Sequence, residues 1–163
     1  MGATSVYIET SIVSYLTARP TGDLLAAAWQ KTTHDWWDLQ RSRFDLYTSQ
    51  VSMEEAGRGD PDAAVRRVDA LSALPLLAIT DAVMDFSKAL IERNALPATA
   101  LDDALHVAVS AVHGIDYLLT WNFRHLDNAE TKPIVRAVCI AEGYATPEIC
   151  TPQELMGAND NGR

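Results

Sequence analysis

Short apolar runs alternate along the chain with segments that have the periodicity of helices. The runs cover residues 5–9, 44–49, 74–80, 116–121 and, more weakly, 147–151. They are rich in β-branched, aromatic and leucine side chains and are bounded by polar or turn residues, as is typical of strands. Strands that alternate with helices favour a parallel sheet with crossover helices. The pattern therefore predicts an α/β fold with five strands.

Helical segments fill the intervals between these runs. Region 10–43 is interrupted near Pro20 and Gly22, which predicts two helices before the second strand. Asp60 followed by Pro61 is typical of a helix start, because the aspartate caps the free N–H groups and proline fits the first turn. The later helices are predicted over 60–73, 80–94, 98–113 and 129–141.

No linker, repeat or low-complexity tract divides the chain. Its 163 residues, of which 48% are hydrophobic, are enough to bury one core without disulfides or structural metals. We therefore predict a single domain over 1–155 and a disordered tail over 156–163.

Charge and targeting signals narrow the function classes. With 13 basic and 22 acidic residues the formal net charge is −9, which repels a polyanion at long range, so a nucleic-acid role needs local positive charge. The sequence contains neither a secretory leader pattern nor an apolar stretch of about 18 residues, which predicts a cytoplasmic location and no membrane span. Cys139 and Cys150 lack the spacing of a zinc site, and their redox state does not follow from the sequence.

Acidic residues follow the first two predicted strands, at the edge where parallel sheets collect ligands. Glu9 comes directly after VYI and before Thr10 and Ser11. It is either a metal ligand or a helix-start acid favoured by the helix dipole. Glu54 and Glu55 follow the second strand at the start of a short helix, where one of them faces the same cleft or both are solvated.

The segment 98–113 opens with two adjacent aspartates, Asp102 and Asp103. On a helical wheel they lie at the two edges of one polar arc, so the wheel leaves open which of them faces a site. His106, four residues after Asp102, favours a local ion pair over metal binding. The whole polar arc consists of Asp102, Asp103, His106, Ser110 and His113.

Asn122 ends the fourth strand and is followed by two groups that can carry positive charge, Arg124 and His125. An amide oxygen can bind a hard cation without adding charge, although asparagine is equally common in turns. Arg124 and His125 either supply the local positive charge for a phosphate or belong to a solvated turn.

Four pieces of the sequence together resemble the PIN-domain ribonucleases, and especially the toxins of VapBC toxin–antitoxin pairs. The pieces are VYIETSIVSYL, SMEEAGRGD, DALHVAVS and LLTWNFRHL, which span residues 6–126, and DALHVA followed by YLLTWN is the specific part. The resemblance implies a three-layer α/β/α sandwich with a five-stranded parallel sheet. It also implies acids that hold Mg²⁺ or Mn²⁺ for RNA cleavage, a cognate antitoxin and a homodimer.

Carried over to this chain, the acidic positions of the family fall on Glu9, Glu55, Asp103 and Asn122, with Glu54 as the alternative to Glu55. Two positions depart from the commonest pattern, because Glu9 is one methylene longer than aspartate and Asn122 lacks a charge.

The resemblance implies that Glu9 and Asp103 bind the metal, while Glu55 assists through the ion or its water and Asn122 orients a ligand water. Asp102 then becomes a surface neighbour, and Thr10 and Thr120 become contacts to the ligands or to a phosphate.

Two other functions use the same features. The two departures also fit a PIN-fold module that binds RNA or protein without efficient turnover. A phosphatase or receiver-like domain is less consistent, since the first strand lacks paired acids and the chain has no phosphate-binding glycine loop.

Overall fold

Five parallel strands form the central sheet of the computed structural model, which describes residues 2–157. The strands are β1 (Thr4–Ile8), β2 (Phe44–Ser49), β3 (Leu76–Leu77), β4 (Tyr117–Leu119) and β5 (Glu148–Cys150). They are ordered β3-β2-β1-β4-β5 across the sheet. In register, Val6 of β1 is opposite Leu46 of β2 and Tyr117 of β4. The predicted α/β fold with a five-stranded parallel sheet is confirmed.

Within residues 2–157, seven helices connect the strands and cover both faces of the sheet. They are α1 (Thr10–Thr17), α2 (Leu24–Leu39), α3 (Gln50–Ala56), α4 (Pro61–Ser72), α5 (Asp81–Glu92), α6 (Leu101–Val112) and α7 (Lys132–Glu142), with a short 3-10 helix at Arg41–Arg43. Region 10–43 thus contains the two predicted helices. The predicted start at Asp60 is also confirmed, since its carboxylate accepts a hydrogen bond of 2.9 Å from the backbone N–H of Ala63.

The central strand β1 separates two apolar layers because its side chains alternate between the faces. Val6 and Ile8 pack with α1, α2 and α4, where Trp36 is fully buried. Tyr7 points to the opposite face, into the layer formed with α5, α6 and α7. A strand buried on both faces explains why VYI reads as a continuous apolar run.

Two predicted elements differ from the structure. The third strand, predicted over 74–80, is only the pair Leu76–Leu77, because this edge strand pairs with β2 alone and the chain turns into the cap of α5 at Thr80. The short helix α3 begins directly after β2, so Glu54 and Glu55 lie in its last turn, not in the first turn as predicted.

Two further sequence predictions concern the end of the chain and a membrane span. Most of the predicted tail, residues 158–163, lies outside the described residues. Within residues 2–157, every helix is too short or too polar to cross a membrane.

Both cysteines are unpaired thiols in the apolar layers, Cys139 on α7 and Cys150 on β5. Burial, together with the nearby carboxylates Glu154, Asp127 and Glu148, raises the pKa of the Cys150 thiol to about 12. Burial also raises the pKa of Cys139. Neither thiol is therefore ionised at neutral pH.

We predict that a disulfide reagent at pH 8 reacts with neither cysteine of the folded protein on the time scale on which it labels the urea-unfolded chain. The reason is that the thiolate is the reactive form and both thiols are buried and neutral. Absorbance after addition of the reagent measures this, and a Cys139→Ser variant isolates Cys150. Native-state labelling as fast as that of the unfolded chain would contradict the burial.

Candidate active site

Glu9 lies at the carboxyl end of β1, between the ends of its two neighbouring strands. Its side chain is only 4% exposed. Thr120, which follows β4, donates a hydrogen bond of 2.6 Å from Oγ1 to Oε1 of Glu9, and the Ser11 hydroxyl donates to the same oxygen. Within residues 2–157, Oε2 of Glu9 has no hydrogen-bond partner. Thr10 and Ser11 thus face carboxylates and do not cap α1.

Glu55 is brought to the same edge by the last turn of α3. Thr10 donates a hydrogen bond of 2.8 Å from Oγ1 to Oε1 of Glu55, and Nε2 of His106 bonds the same oxygen. In the described part of the chain, Oε2 of Glu55 also has no partner. A helix C-terminus disfavours a negative charge, so these two hydrogen bonds are what stabilise the carboxylate there.

His106 is fully buried and connects the site to the core. Its Nδ1 lies 2.7 Å from the Tyr7 hydroxyl, which lies 2.6 Å from Oγ of Ser49. The predicted ion pair between His106 and Asp102 is wrong, because His106 points to Glu55 and Asp102 pairs with Arg58 at the surface.

The ionisable groups of this cluster influence one another. Burial raises the pKa of Glu9, although His106 and the hydroxyls of Ser11 and Thr120 oppose the rise. Burial alone would also raise the pKa of Glu55, but the hydrogen bond and charge of His106 outweigh it and hold that pKa below its usual value. Burial disfavours a charged His106, yet Tyr7, Glu55 and Glu9 raise its pKa well above the ordinary value.

The donor set fits a hard cation through its carboxylates. Ligand atoms of Glu9, Glu55 and His106 lie within 4.8 Å of one another. Each glutamate has one oxygen fixed by hydrogen bonds and one oxygen without a partner among the described residues, and carboxylate oxygen is the ligand that Mg²⁺ prefers. His106 fits poorly as a ligand, because Tyr7 and Glu55 engage both ring nitrogens.

Asp103 forms a second hydrogen-bonded group beside these glutamates. Its Oδ1 accepts a bond of 3.2 Å from Nδ2 of Asn122, and its Oδ2 lies 2.8 Å from Nδ1 of His125. Asp103, His125 and Glu55 line one pocket of about 320 Å³, so Asp103 and Glu55 face the same opening. Asp103 lies outside the 4.8 Å group that the described residues form.

Asn122 is engaged entirely inside the protein. Its amide NH₂ donates to Asp103, and its Oδ1 accepts hydrogen bonds from the backbone N–H groups of Arg124 (3.1 Å) and His125 (3.0 Å). The resemblance implied that Asn122 orients a ligand water, which stays a prediction, and these contacts show that its amide also supports Asp103.

The remaining candidates lie around this opening in different settings. Glu54 is exposed, whereas Glu55 turns inward. Asp102 forms a surface ion pair of 3.0 Å with Arg58, and the side chain of Arg124 is exposed. Thr10 donates to Glu55 and Thr120 donates to Glu9, and a role of either threonine toward a phosphate stays a prediction.

Sequence reasoning missed the support of the glutamates by Ser11 and by the chain from His106 through Tyr7 to Ser49. In the sequence, the only indication of this network was a polar residue at an interior position of a predicted buried strand or helix. A polar residue at such a position needs an internal partner.

Two solved structures share this architecture. In VapBC2 from Rickettsia felis bound to a DNA fragment from their promoter, the matching chain has a TM-score of 0.59 and 13% identity, with 91% of this chain and 98% of that chain covered. This chain has a PIN-like fold. VapBC-1 from nontypeable Haemophilus influenzae gives a TM-score of 0.56 and 11% identity, with 92% and 99% covered.

By sequence, no protein-family model and no curated protein matches the chain. The PIN-like fold is thus shown by the similarity of the structures and not by the similarity of the sequences.

We predict that His106→Leu lowers the free energy of unfolding by about 2 kcal/mol, because the Tyr7 hydroxyl and Oε1 of Glu55 lose a buried partner. Urea unfolding followed by circular dichroism measures the loss. The control is His34→Leu, at an exposed position of α2, which should change stability by less than about 0.5 kcal/mol. Equal effects of the two substitutions would contradict a supporting role for His106.

Proposed function

We propose that this chain is a metal-dependent endoribonuclease that hydrolyses RNA phosphodiester bonds, and that it is the toxin of a toxin–antitoxin pair. The observation that carries the proposal is the pair of glutamates at the carboxyl edge of a PIN-like sheet. Each is fixed through Oε1, and within residues 2–157 each has an Oε2 without a partner. A site of this kind is suited to an ion that takes oxygen ligands and to a substrate that carries negative charge.

The residues that would hold Mg²⁺ or Mn²⁺ are Glu9, Asp103 and Glu55. An ion bound there activates water and stabilises charge on the phosphoryl oxygens. Glu9 and Asp103 are the direct ligands in this proposal, and Glu55 contributes through the ion or its water.

The surrounding residues keep the carboxylates in place. Ser11 and Thr120 hold Glu9, while Thr10 and His106 hold Glu55. Asn122 donates to Asp103 and thereby positions it, as a neutral amide where many PIN domains have an acid. Carboxylates that face one opening repel each other, so a bound cation stabilises the folded protein.

The proposed partners are an RNA substrate, a cognate antitoxin and a second copy of the chain. The VapBC likeness supports an antitoxin partner, and α2 offers apolar surface for one, since Leu24 is 89% and Leu25 is 59% exposed. The buried Trp36 on the same helix belongs to the core.

The alternative is a catalytically weak PIN-fold module that binds RNA or protein. It is favoured by Asn122, whose amide is engaged within the protein and adds no charge to the site. The nuclease is expected to bind a divalent cation and to cleave RNA, whereas the binding module is not expected to cleave RNA efficiently.

We predict that the protein cleaves single-stranded RNA with Mg²⁺ or Mn²⁺ and not with EDTA, and that Asp103→Asn and Glu55→Gln each lower kcat/KM at least about 100-fold. Gel analysis of labelled RNA after incubation measures this. The matched control is the neighbour Glu54→Gln, which keeps most of the activity because the Glu54 side chain is exposed whereas Glu55 turns inward. Cleavage that survives EDTA and Asp103→Asn would refute the mechanism.

We also predict that Mn²⁺ raises the melting temperature of the wild type by a few degrees and that Glu9→Gln abolishes the rise. At ten times Kd, ligand binding stabilises a fold by about 1.4 kcal/mol, which moves the midpoint of a domain of this size by about 2–4 °C per kcal/mol. Scanning calorimetry measures the shift, with the protein in the same buffer plus EDTA as the metal-free reference. No shift at millimolar Mn²⁺ would favour the binding module.

A further inference from the structure

A groove of about 370 Å³ between the end of α1 and the start of α4 collects basic side chains. Arg19, Arg66 and Arg67 line it, together with the acids Asp60 and Asp62. These three arginines are an unusual concentration in a chain that has only 13 basic residues and a net charge of −9. The groove thus concentrates positively charged side chains in a protein whose net charge is negative.

Two of the three arginines, Arg66 and Arg67, are held in place by neutral partners. Arg66 donates from Nε to the backbone carbonyl of Thr17 at 3.1 Å, and Arg67 donates from Nε to that of Ala56 at 3.0 Å. Within residues 2–157, no carboxylate lies within 4.0 Å of a guanidinium nitrogen of Arg19, Arg66 or Arg67; the ion pairs of that region are formed by other residues. The charges of Arg66 and Arg67 are therefore oriented by hydrogen bonds, and none of the three charges is neutralised by direct contact with a carboxylate of residues 2–157.

The two acids of the groove have another role. Asp60 caps α4 by accepting from the N–H of Ala63, and Asp62 lies in the first turn of the same helix, where the dipole favours negative charge.

The groove begins beside the acidic site. Arg67 bonds the carbonyl of Ala56, the residue that follows Glu55. Helix α1 leads from Thr10, which donates to Glu55, to Thr17, whose carbonyl holds Arg66. At 1.5 Å per residue this is a separation of about 10 Å along the helix, a distance that a few nucleotides span.

We propose that this groove binds a backbone phosphate of the single-stranded RNA substrate, a few nucleotides from the bond that is cleaved. The inference rests on the proposed function, because it deepens the substrate contacts of that site. A guanidinium presents forked donors that match phosphate oxygens, and a long-range repulsion from a net charge of −9 makes such a local contact necessary.

The test uses Arg19→Gln and Arg66→Gln in the full chain, with Arg136→Gln as the matched control. Arg136 is exposed on α7, a helix that packs on the opposite face of the sheet. Arg19→Gln removes no hydrogen bond that its side chain makes to residues 2–157, so the fold does not depend on it. Thermal melting of each variant verifies this.

Cleavage of a short RNA with Mg²⁺ gives KM and kcat, and fluorescence anisotropy of the same labelled RNA in EDTA gives Kd over a range of salt. We expect each groove variant to raise KM about tenfold, as for one lost charge-assisted hydrogen bond, with little change in kcat. The slope of log Kd against log salt should fall by about 0.7 for each lost phosphate contact.

KM and salt slope that match those of Arg136→Gln would overturn the groove as an RNA site. The same holds if the variants weaken binding of a polyglutamate peptide and leave RNA binding unchanged, since the occupant is then an acidic protein segment. A wild type that binds RNA through the groove arginines but does not cleave it would refute the proposed function and support the groove.

Discussion

The arrangement of this protein depends on holding two glutamates close together at the carboxyl edge of a parallel sheet. Buried carboxylates lose hydration and repel each other, so each needs fixed hydrogen-bond donors. Glu9 takes its donors from Ser11 and Thr120, and Glu55 takes them from Thr10 and His106. The immediate start of α1 after β1 supplies two of these hydroxyls, and the short α3 returns Glu55 to the same edge. The position of α1 thus provides a hydrogen-bond donor to each glutamate, and the position of α3 places Glu55 beside Glu9.

The same constraint links the site to the core. His106 is surrounded by Tyr7, Glu9 and Glu55, and these neighbours raise its pKa against the opposing effect of burial. The Nε2 atom of His106 bonds Oε1 of Glu55 beneath the opening. Through Tyr7 the network reaches the central strand, so the geometry of Glu55 is tied to the packing of the sheet. A rigid support of this kind is what a site needs to hold its carboxylates for a cation.

Much of the fold follows from the sequence because apolar run length and helix caps are local signals. The run VYI predicts a buried strand that ends at Glu9, and Asp60 with Pro61 predicts the start of α4; both agree with the structure. The third strand is overpredicted, because pairing at the edge of a sheet is not encoded in the apolarity of 74–80.

The direction in which the polar arc of α6 faces does not follow from the sequence. A helical wheel groups residues by side but does not distinguish a solvated side from one that is satisfied internally. His106 and Ser110 are both fully buried, and Ser110 donates to the carbonyl of His106. The distinction between Asp102 and Asp103 came from the family resemblance and stays a prediction; in the structure Asp102 pairs with Arg58 and Asp103 with Asn122.

The central claim is that Glu9, Glu55 and Asp103 hold one divalent cation at this edge of the sheet. Anomalous diffraction from crystals soaked in Mn²⁺ tests it most directly, because the anomalous signal locates the ion independently of activity. We expect an anomalous peak within ligand distance of Glu9 and Asp103, with Glu55 beside the ion or its water. In Glu9→Gln crystals this peak should be absent. A fully soaked crystal with no peak at these residues, or with one held by other side chains, would contradict it.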